Sequence, residues 1–96
     1  MRIYSYPANF MPAEEGGFVI TFPDVPEAIT QAETIADAFE QAADALEEAL
    51  VGRINTGETI PPRSPSQPGQ HMIALPAQTA LKAAQYEELR SQTLRS

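Results

Sequence analysis

The sequence predicts a single α+β domain in which three strands, a helix and a fourth strand are followed by a last helix. Runs rich in β-branched and aromatic residues fill the first third of the chain. The apolar period changes to three and four residues at Thr34, and an apolar run returns at His71 after a proline-rich segment. A chain of 96 residues has the length of one domain.

The first three strands are predicted at "RIYSYPANF" (2–10), "GFVITF" (17–22) and "AITQAE" (28–33). Pro7 lacks an N–H donor, so we expect the first strand to be interrupted or at a sheet edge there. Residues 12–17 contain a glycine pair and predict a solvated hairpin connection that exposes Glu14 and Glu15.

A corner of sequence Pro23-Asp24-Val25-Pro26 joins the second and third strands. Proline restricts φ, so the corner is rigid and leaves Asp24 and Glu27 little entropy to lose. Two interpretations remain open: the corner presents both carboxylates to a partner, or it only fixes the path between the strands.

Thr34 is the predicted N-cap of an amphipathic helix that ends near Gly52, with Asp37 in its first turn. The apolar face of this helix is predicted to consist of Ile35, Ala38, Phe39, Ala42, Leu46, Ala49 and Leu50. The opposite face carries four acids, and residues 34–51 contain no Lys or Arg to neutralise them. These acids are Glu40, Asp44, Glu47 and Glu48.

The predicted organisation continues with an irregular proline-rich connection over 55–70, which offers little to a core. A fourth strand over 71–76 enters after this crossover and is therefore free to lie parallel to an earlier strand. Residues 77–96 predict a C-terminal helix with a weak apolar stripe of Ala77, Ala80, Leu81 and Ala84. In this division residues 1–54 form the βββα part of the core.

The charge composition of the chain indicates which class of partner it binds. The net charge is −7, and residues 1–62 hold eleven acidic against two basic side chains. Such a body repels nucleic acid, so the expected partner is basic. The chain has no cysteine, no apolar stretch of membrane-spanning length and no signal-peptide pattern at its start, which favours a soluble cytoplasmic protein.

Catalytic chemistry is not indicated. His71 is the only histidine and has no evident nucleophile to serve, so we expect it to be structural or solvent-exposed. The carboxylates that could hold a divalent metal, Glu14, Glu15, Asp24 and Glu27, fall on predicted turns rather than on adjacent strand centres. We therefore predict no catalytic residue, metal site or cofactor.

The stretch "GGFVITFPDVPEAITQAETIADAFEQAADALEEAL" (16–50) resembles the HicB family of bacterial antitoxins. It contains a Gly-Gly turn, a strand ending in Phe-Pro-Asp, a Pro-Glu-Ala-x-Thr run, a Thr cap and a Glu-Ala-rich helix, as family members do. "RIYSYPANF", "IPPRSP" and "ALPAQTALKAAQ" match further parts of the family pattern. The resemblance covers nearly the whole chain.

This resemblance implies a partial RNase H-like βββαβ sheet and a protein that silences HicA, a small basic mRNA-cleaving toxin, by covering its RNA-binding and catalytic surface. Partner binding is expected at the acidic side chains, and self-association as a dimer or higher oligomer is expected as well. The expected partner-binding residues are Glu14, Glu15, Asp24, Glu27, Glu40, Asp44, Glu47 and Glu48. The alternatives are an orphan HicB-like regulatory or oligomeric protein and, less favoured, a metal-dependent RNase H-like nuclease.

Two departures from the family pattern have consequences. The usual Gly after Thr-x is Ala32, which suggests a backbone without positive φ at this position. Family members commonly continue into a DNA-binding domain, whereas this sequence provides one predicted helix, with Lys82, Arg90 and Arg95 as its bases. We therefore expect DNA binding to be doubtful in this chain, whose last helix resembles a remnant or the start of such a region.

Overall fold

A computed structural model describes residues 4–95, with side chains described up to Thr93. The strands are β1 (Ser5–Pro12), β2 (Phe18–Thr21), β3 (Ile29–Ala32) and β4 (His71–Ala74), and the helices are α1 (Ile35–Asn55) and α2 (Ala77–Arg95). This confirms the α+β class and the predicted order of elements. The predicted first strand begins at Arg2, and its first two residues lie outside the described part.

The four strands form one sheet in the order β3-β2-β1-β4, and each hydrogen-bonded pair is antiparallel. Phe10 lies opposite Ile20, and Tyr6 lies opposite Ile73. Because alternate residues point to opposite faces, these side chains share the face that packs against α1. The buried core on this face includes Tyr6, Ala8, Ile20, Phe22, Ile73 and, from α1, Ala38, Ala42, Leu46 and Leu50.

The sequence leaves the fourth strand free to lie parallel to an earlier strand. In the structure β4 lies antiparallel to β1. A strand that began directly after α1 would run in the same direction as β1. Residues 56–70 instead lead the chain from the end of α1 to a position beside the middle of β1, where His71 lies opposite Ala8. β4 then runs in the same direction as α1.

The sequence predicts that the first strand is interrupted or at a sheet edge at Pro7. β1 is an inner strand in the sheet order, but its pairing changes beside Pro7, so the expectation holds locally. Ser5–Ala8 pair only with β4, whereas Asn9–Pro12 pair only with β2. Pro7 therefore lies in a half of β1 that has a hydrogen-bonding neighbour on one side, which is where a missing N–H is tolerated.

Helix α1 begins as predicted and ends three residues beyond Gly52. The Thr34 side-chain oxygen accepts a hydrogen bond from the Asp37 backbone N–H, and the Thr34 backbone is extended, as an N-cap requires. At the other end, the Thr56 hydroxyl donates to the Gly52 carbonyl oxygen. Ile35 and Phe39 belong to the apolar face by their helical spacing, but the structure leaves them 49% and 42% exposed.

The segments after α1 contribute more to the core than the sequence predicts. Ile60, in the proline-rich connection, is buried. In α2 the fully buried residue is Ala83, flanked by half-buried Ala80 and Ala84, while Leu81 is half exposed and Ala77 is exposed. The predicted stripe is thus wrong at two of its four positions. Neither helix, over the residues described, has the length and apolarity needed to cross a membrane.

Candidate functional site

The proline corner consists of two consecutive tight turns. The Val25 N–H donates to the Phe22 carbonyl oxygen, and the Ala28 N–H donates to the Val25 carbonyl oxygen. Each proline therefore occupies the second position of a turn, where its fixed φ is favoured. Val25 is buried between the two exposed prolines, and Ala28 is buried just after them. The corner is therefore anchored in the core.

Asp24 occupies the third position of the first turn and binds the proline-rich connection. Its carboxylate accepts one hydrogen bond from the Ser64 backbone N–H at 2.8 Å and another from the Ser64 hydroxyl. Nearby, Arg63 donates to the Ser5 hydroxyl, and Gln70 donates to the Asn9 side-chain oxygen. These contacts tie both ends of the segment 63–70 to the first strands of the sheet.

Glu27 occupies the third position of the second turn and binds the end of α1. Arg53 donates to it twice, from Nε at 2.5 Å and from Nη2 at 2.8 Å. The hydrogen bonds from Arg53 lower the pKa of Glu27 below its ordinary value and raise the pKa of Arg53. Both carboxylates of the corner therefore have partners within the protein, which favours the interpretation in which the corner fixes the chain path.

The four acids predicted on the polar face of α1 have different environments. Glu40, Asp44 and Glu48 are exposed, and among the described residues no hydrogen bond or ion pair involves them. Glu47 is half-buried and accepts a hydrogen bond from the Thr79 hydroxyl of α2. Glu40, Asp44 and Glu48 follow each other at intervals of four residues, so they form one row of charge along the helix, which we call the acidic row.

The hairpin connection brings two further acids to the end of the sheet where α1 begins. Glu14 and Glu15 are exposed at its tip. Gly17 has φ +76°, and a Cβ placed on it would lie 2.4 Å from the Ala32 carbonyl oxygen and 3.2 Å from the Glu33 Cα. The hairpin therefore packs directly against the chain that leads into α1. Ala32 itself does not have positive φ, as expected from the sequence.

His71 lies in an aromatic cluster that the sequence did not predict. Its ring centroid is 4.6 Å from that of Phe10 and 5.1 Å from that of Phe39, and the two phenyl rings are 5.0 Å apart. The structural role expected for His71 is consistent with this packing. The three residues belong to β1, α1 and β4, so only the antiparallel docking of β4 brings them together.

A groove of about 610 Å³ lies between the edge strand β3 and α1. Its lining includes the small residues Ala28, Ala45 and Ala49 and the charged residues Glu27, Glu48, Arg53 and Glu58. Over residues 4–95, no three His, Cys, Asp or Glu side chains are grouped closely enough to hold a metal ion.

Sequence comparison identifies relatives that match this arrangement. Residues 5–84 match the family model described as the HicB-like antitoxin of bacterial toxin-antitoxin systems. The chain belongs to the HicB-like antitoxin family. The match begins with β1 and extends into α2, so it includes the complete sheet, the corner and the acidic row.

Curated relatives agree with this assignment. The antitoxin HicB of Escherichia coli strain K12 is 44% identical over 77 residues, which are 80% of this chain and 56% of that protein. The antitoxin HicB 1 of Photorhabdus laumondii is 42% identical, over 80% of this chain and 48% of its own length. A second antitoxin of that organism, HicB 2, is 36% identical. The chain thus spans about half the length of these relatives.

Proposed function

We propose that this HicB-like chain is an antitoxin module that binds a small basic toxin of the HicA type and covers the surface with which that toxin engages RNA. The observation that carries the proposal is the acidic row on α1. Glu40, Asp44 and Glu48 are exposed and have no described hydrogen bond or ion pair, so they repel each other in the isolated protein. A basic partner would relieve this repulsion.

Charge explains how such a complex would form. An RNA-cleaving protein needs a basic surface to approach phosphates, and a row of carboxylates on a rigid helix offers that surface an alternative polyanion. Complementary potentials accelerate encounter and fix the orientation of docking. The hairpin acids Glu14 and Glu15 extend the negative potential beyond the start of α1. The proposed action is binding rather than catalysis, in the compartment where the toxin meets mRNA, the cytoplasm.

The corner carboxylates have a different part in the proposal. Asp24 and Glu27 are each engaged by two internal hydrogen bonds, so a toxin would have to compete with Ser64 or Arg53 to reach them. We assign them to maintaining the shape of the module. Glu47 likewise supports the packing of α2 through Thr79. This leaves the acidic row and the hairpin acids as the proposed partner-binding set.

The test is a double charge reversal, Glu40→Lys with Asp44→Lys, measured against a purified toxin of the HicA type. Both side chains are exposed, so the fold is expected to persist. The association rate should fall by at least about tenfold at low salt and lose most of its salt dependence, because charges at the edge of an interface act mainly on the on-rate. A single reversal is expected to change little, since one exposed pair contributes about 0–1 kcal/mol.

A matched control places the same change in net charge elsewhere, as Glu58→Lys with Glu88→Lys, two exposed acids near the end of α1 and on α2. If this control slows association as much as the test variant, net charge rather than the acidic row is responsible, and the assignment of the row is wrong. If the wild-type chain does not bind the HicA-type toxin and does not protect RNA from it, the antitoxin proposal fails and the orphan HicB-like alternative gains support.

A further inference from the structure

Part of the apolar face of α1 is not covered by the rest of the fold. Ala38, Ala42, Leu46 and Leu50 are buried against the sheet, but Ile35 and Phe39, which lie on the same face in the first two turns of the helix, remain half exposed. Apolar groups on the core-facing side of a helix are ordinarily buried. Their exposure at one end of α1 therefore marks a surface that the described fold leaves uncovered.

This surface is ordered by ring packing. Phe39 contacts the rings of Phe10 and His71, with an angle of 62° to the first and 76° to the second, both edge-to-face arrangements. Phe10 and His71 are half-buried, so they hold the Phe39 ring from beneath while part of it faces solvent. We call Ile35, Phe39, Phe10 and His71 the aromatic patch. A side chain held in this way loses little freedom when a partner covers it.

The charged residues that are nearest to the patch along α1 and in the hairpin are acidic. Glu40 follows Phe39 directly in α1, and Glu33 precedes the helix. The hairpin with Glu14 and Glu15 packs against Glu33, as the 3.2 Å approach of a Gly17 Cβ to the Glu33 Cα indicates. These acids are all exposed, so they form a negative rim beside an apolar centre.

The described arginine side chains lie at the other end of β1 and α1. Arg53 is in the last turn of α1 and binds Glu27. Arg63 donates to Ser5 at the start of β1, whereas Phe10 is near the end of that strand. Arg90 donates to the carbonyl oxygen of Gly57, beyond the end of α1. The aromatic patch therefore lies at the end of the molecule away from these three arginines.

From this geometry we infer that the aromatic patch is the apolar anchor of the interface with a basic protein, and, resting on the proposed function, that this protein is the toxin. A buried aromatic centre inside a polar rim is the arrangement in which few side chains carry most of the binding free energy. A second copy of this chain is a poorer occupant, because it would bring an identical acidic rim against the first.

The inference assigns different kinetic roles to two neighbouring surfaces. The acidic row acts at a distance and sets the association rate, while the aromatic patch acts in contact and sets the dissociation rate. Loss of the Phe39 ring should therefore accelerate dissociation with little effect on association or on salt dependence. Reversal of Glu40 and Asp44 should do the opposite.

The experiment compares Phe39→Ala and Ile35→Ala with the control Leu81→Ala, measuring binding kinetics of the full chain with a purified toxin of the HicA type. Leu81 is 50% exposed on α2, close to the 42% of Phe39, so it matches the loss of an exposed apolar helix residue. We expect Phe39→Ala to raise Kd at least about tenfold through a faster dissociation rate, with Leu81→Ala within about twofold of wild type. Phe39→Leu should recover part of the loss.

Other outcomes would contradict either the inference or the proposed function. If wild type binds the toxin and both patch variants bind within about twofold of it, the inference is overturned while the proposed function stands. If wild type does not bind, the proposed function fails first. Light scattering of wild type and variants without toxin tests whether a second copy of this chain occupies the patch. If wild type is an oligomer and Phe39→Ala is a monomer, the patch belongs to a second copy and the inference is overturned. Should Phe39→Ala unfold, Ile35→Ala decides, since its side chain is 49% exposed in the first helical turn.

Discussion

Arg53 holds Glu27 through two hydrogen bonds and so fastens the last turn of α1 to the turn that precedes β3. The two residues are 26 positions apart in the sequence, and their pairing closes the strand–helix unit between them. The Glu27 side chain is 44% exposed and that of Arg53 19%, so solvent screens the pair. The bidentate geometry, rather than burial, distinguishes it from an ordinary surface ion pair.

We predict that Glu27→Gln lowers the free energy of unfolding at pH 7 by up to about 1 kcal/mol. The pKa of Glu27 is depressed in the folded state, so its contribution is complete above the ordinary Glu value near 4.5 and is lost as pH falls through the lower folded value. Urea unfolding at pH 7 and pH 3 should therefore show a difference between wild type and variant that shrinks in acid. Glu14→Gln, at an exposed hairpin site, should change neither value, and an equal effect there would contradict the prediction.

We predict that Asp24→Ala loosens the proline-rich connection. It removes both acceptors of Ser64 and should cost about 1 kcal/mol in global stability, because these bonds are exposed. The sharper measurement is tryptic cleavage after Arg63, which adjoins the bond to Ser64. Cleavage at that site should become several-fold faster, since proteolysis follows the population of the locally opened state. Asp44→Ala is the control, and unchanged cleavage in Asp24→Ala would show that other contacts hold the segment.

We predict that Gly17→Ala destabilises the fold by about 2 kcal/mol or more. Its φ of +76° is unfavourable for alanine, and the added Cβ would stand 2.4 Å from the backbone oxygen of Ala32, which cannot move as a flexible side chain would. Thermal unfolding should show the loss. Gly52→Ala provides the opposite case, because Gly52 lies in α1 and an alanine methyl group there would point into open space. This variant should gain up to about 1 kcal/mol.

Self-association stays a prediction, and the structure suggests a surface for it. Met11, Ile29 and Met72 are exposed, and their strand positions alternate with core-facing residues, so they lie on the sheet face turned away from α1. A second copy covering this face would bury them. Light scattering at micromolar concentration should report at least a dimer, and Ile29→Lys should shift it toward monomer while Leu89→Lys on α2 does not. A monomer in the wild type would refute the prediction.

Local patterns predicted most of the elements. Thr34 with Asp37 marked the start of α1 because capping depends on residues three positions apart, and the β-branched and aromatic residues of Phe18–Thr21 marked a strand for a similarly local reason. The exposed acids of α1 followed from helical periodicity and the absence of bases in residues 34–51. The family motif, which lies within one continuous stretch, identified the class of protein.

Tertiary structure decided what depends on residues far apart in the chain. The partners of Asp24 and Glu27 lie 40 and 26 positions away, so no local pattern could show that these carboxylates are engaged. The direction of β4 depended on how far residues 56–70 carry the chain before it pairs with β1, and that pairing placed His71 against Phe10 and Phe39. Helical periodicity assigned Phe39 to the apolar face, but whether anything covers a face depends on where the sheet ends. The sequence by itself determined the elements and the sign of the charged surface, whereas long-range packing determined which acids are free and which apolar residues are exposed.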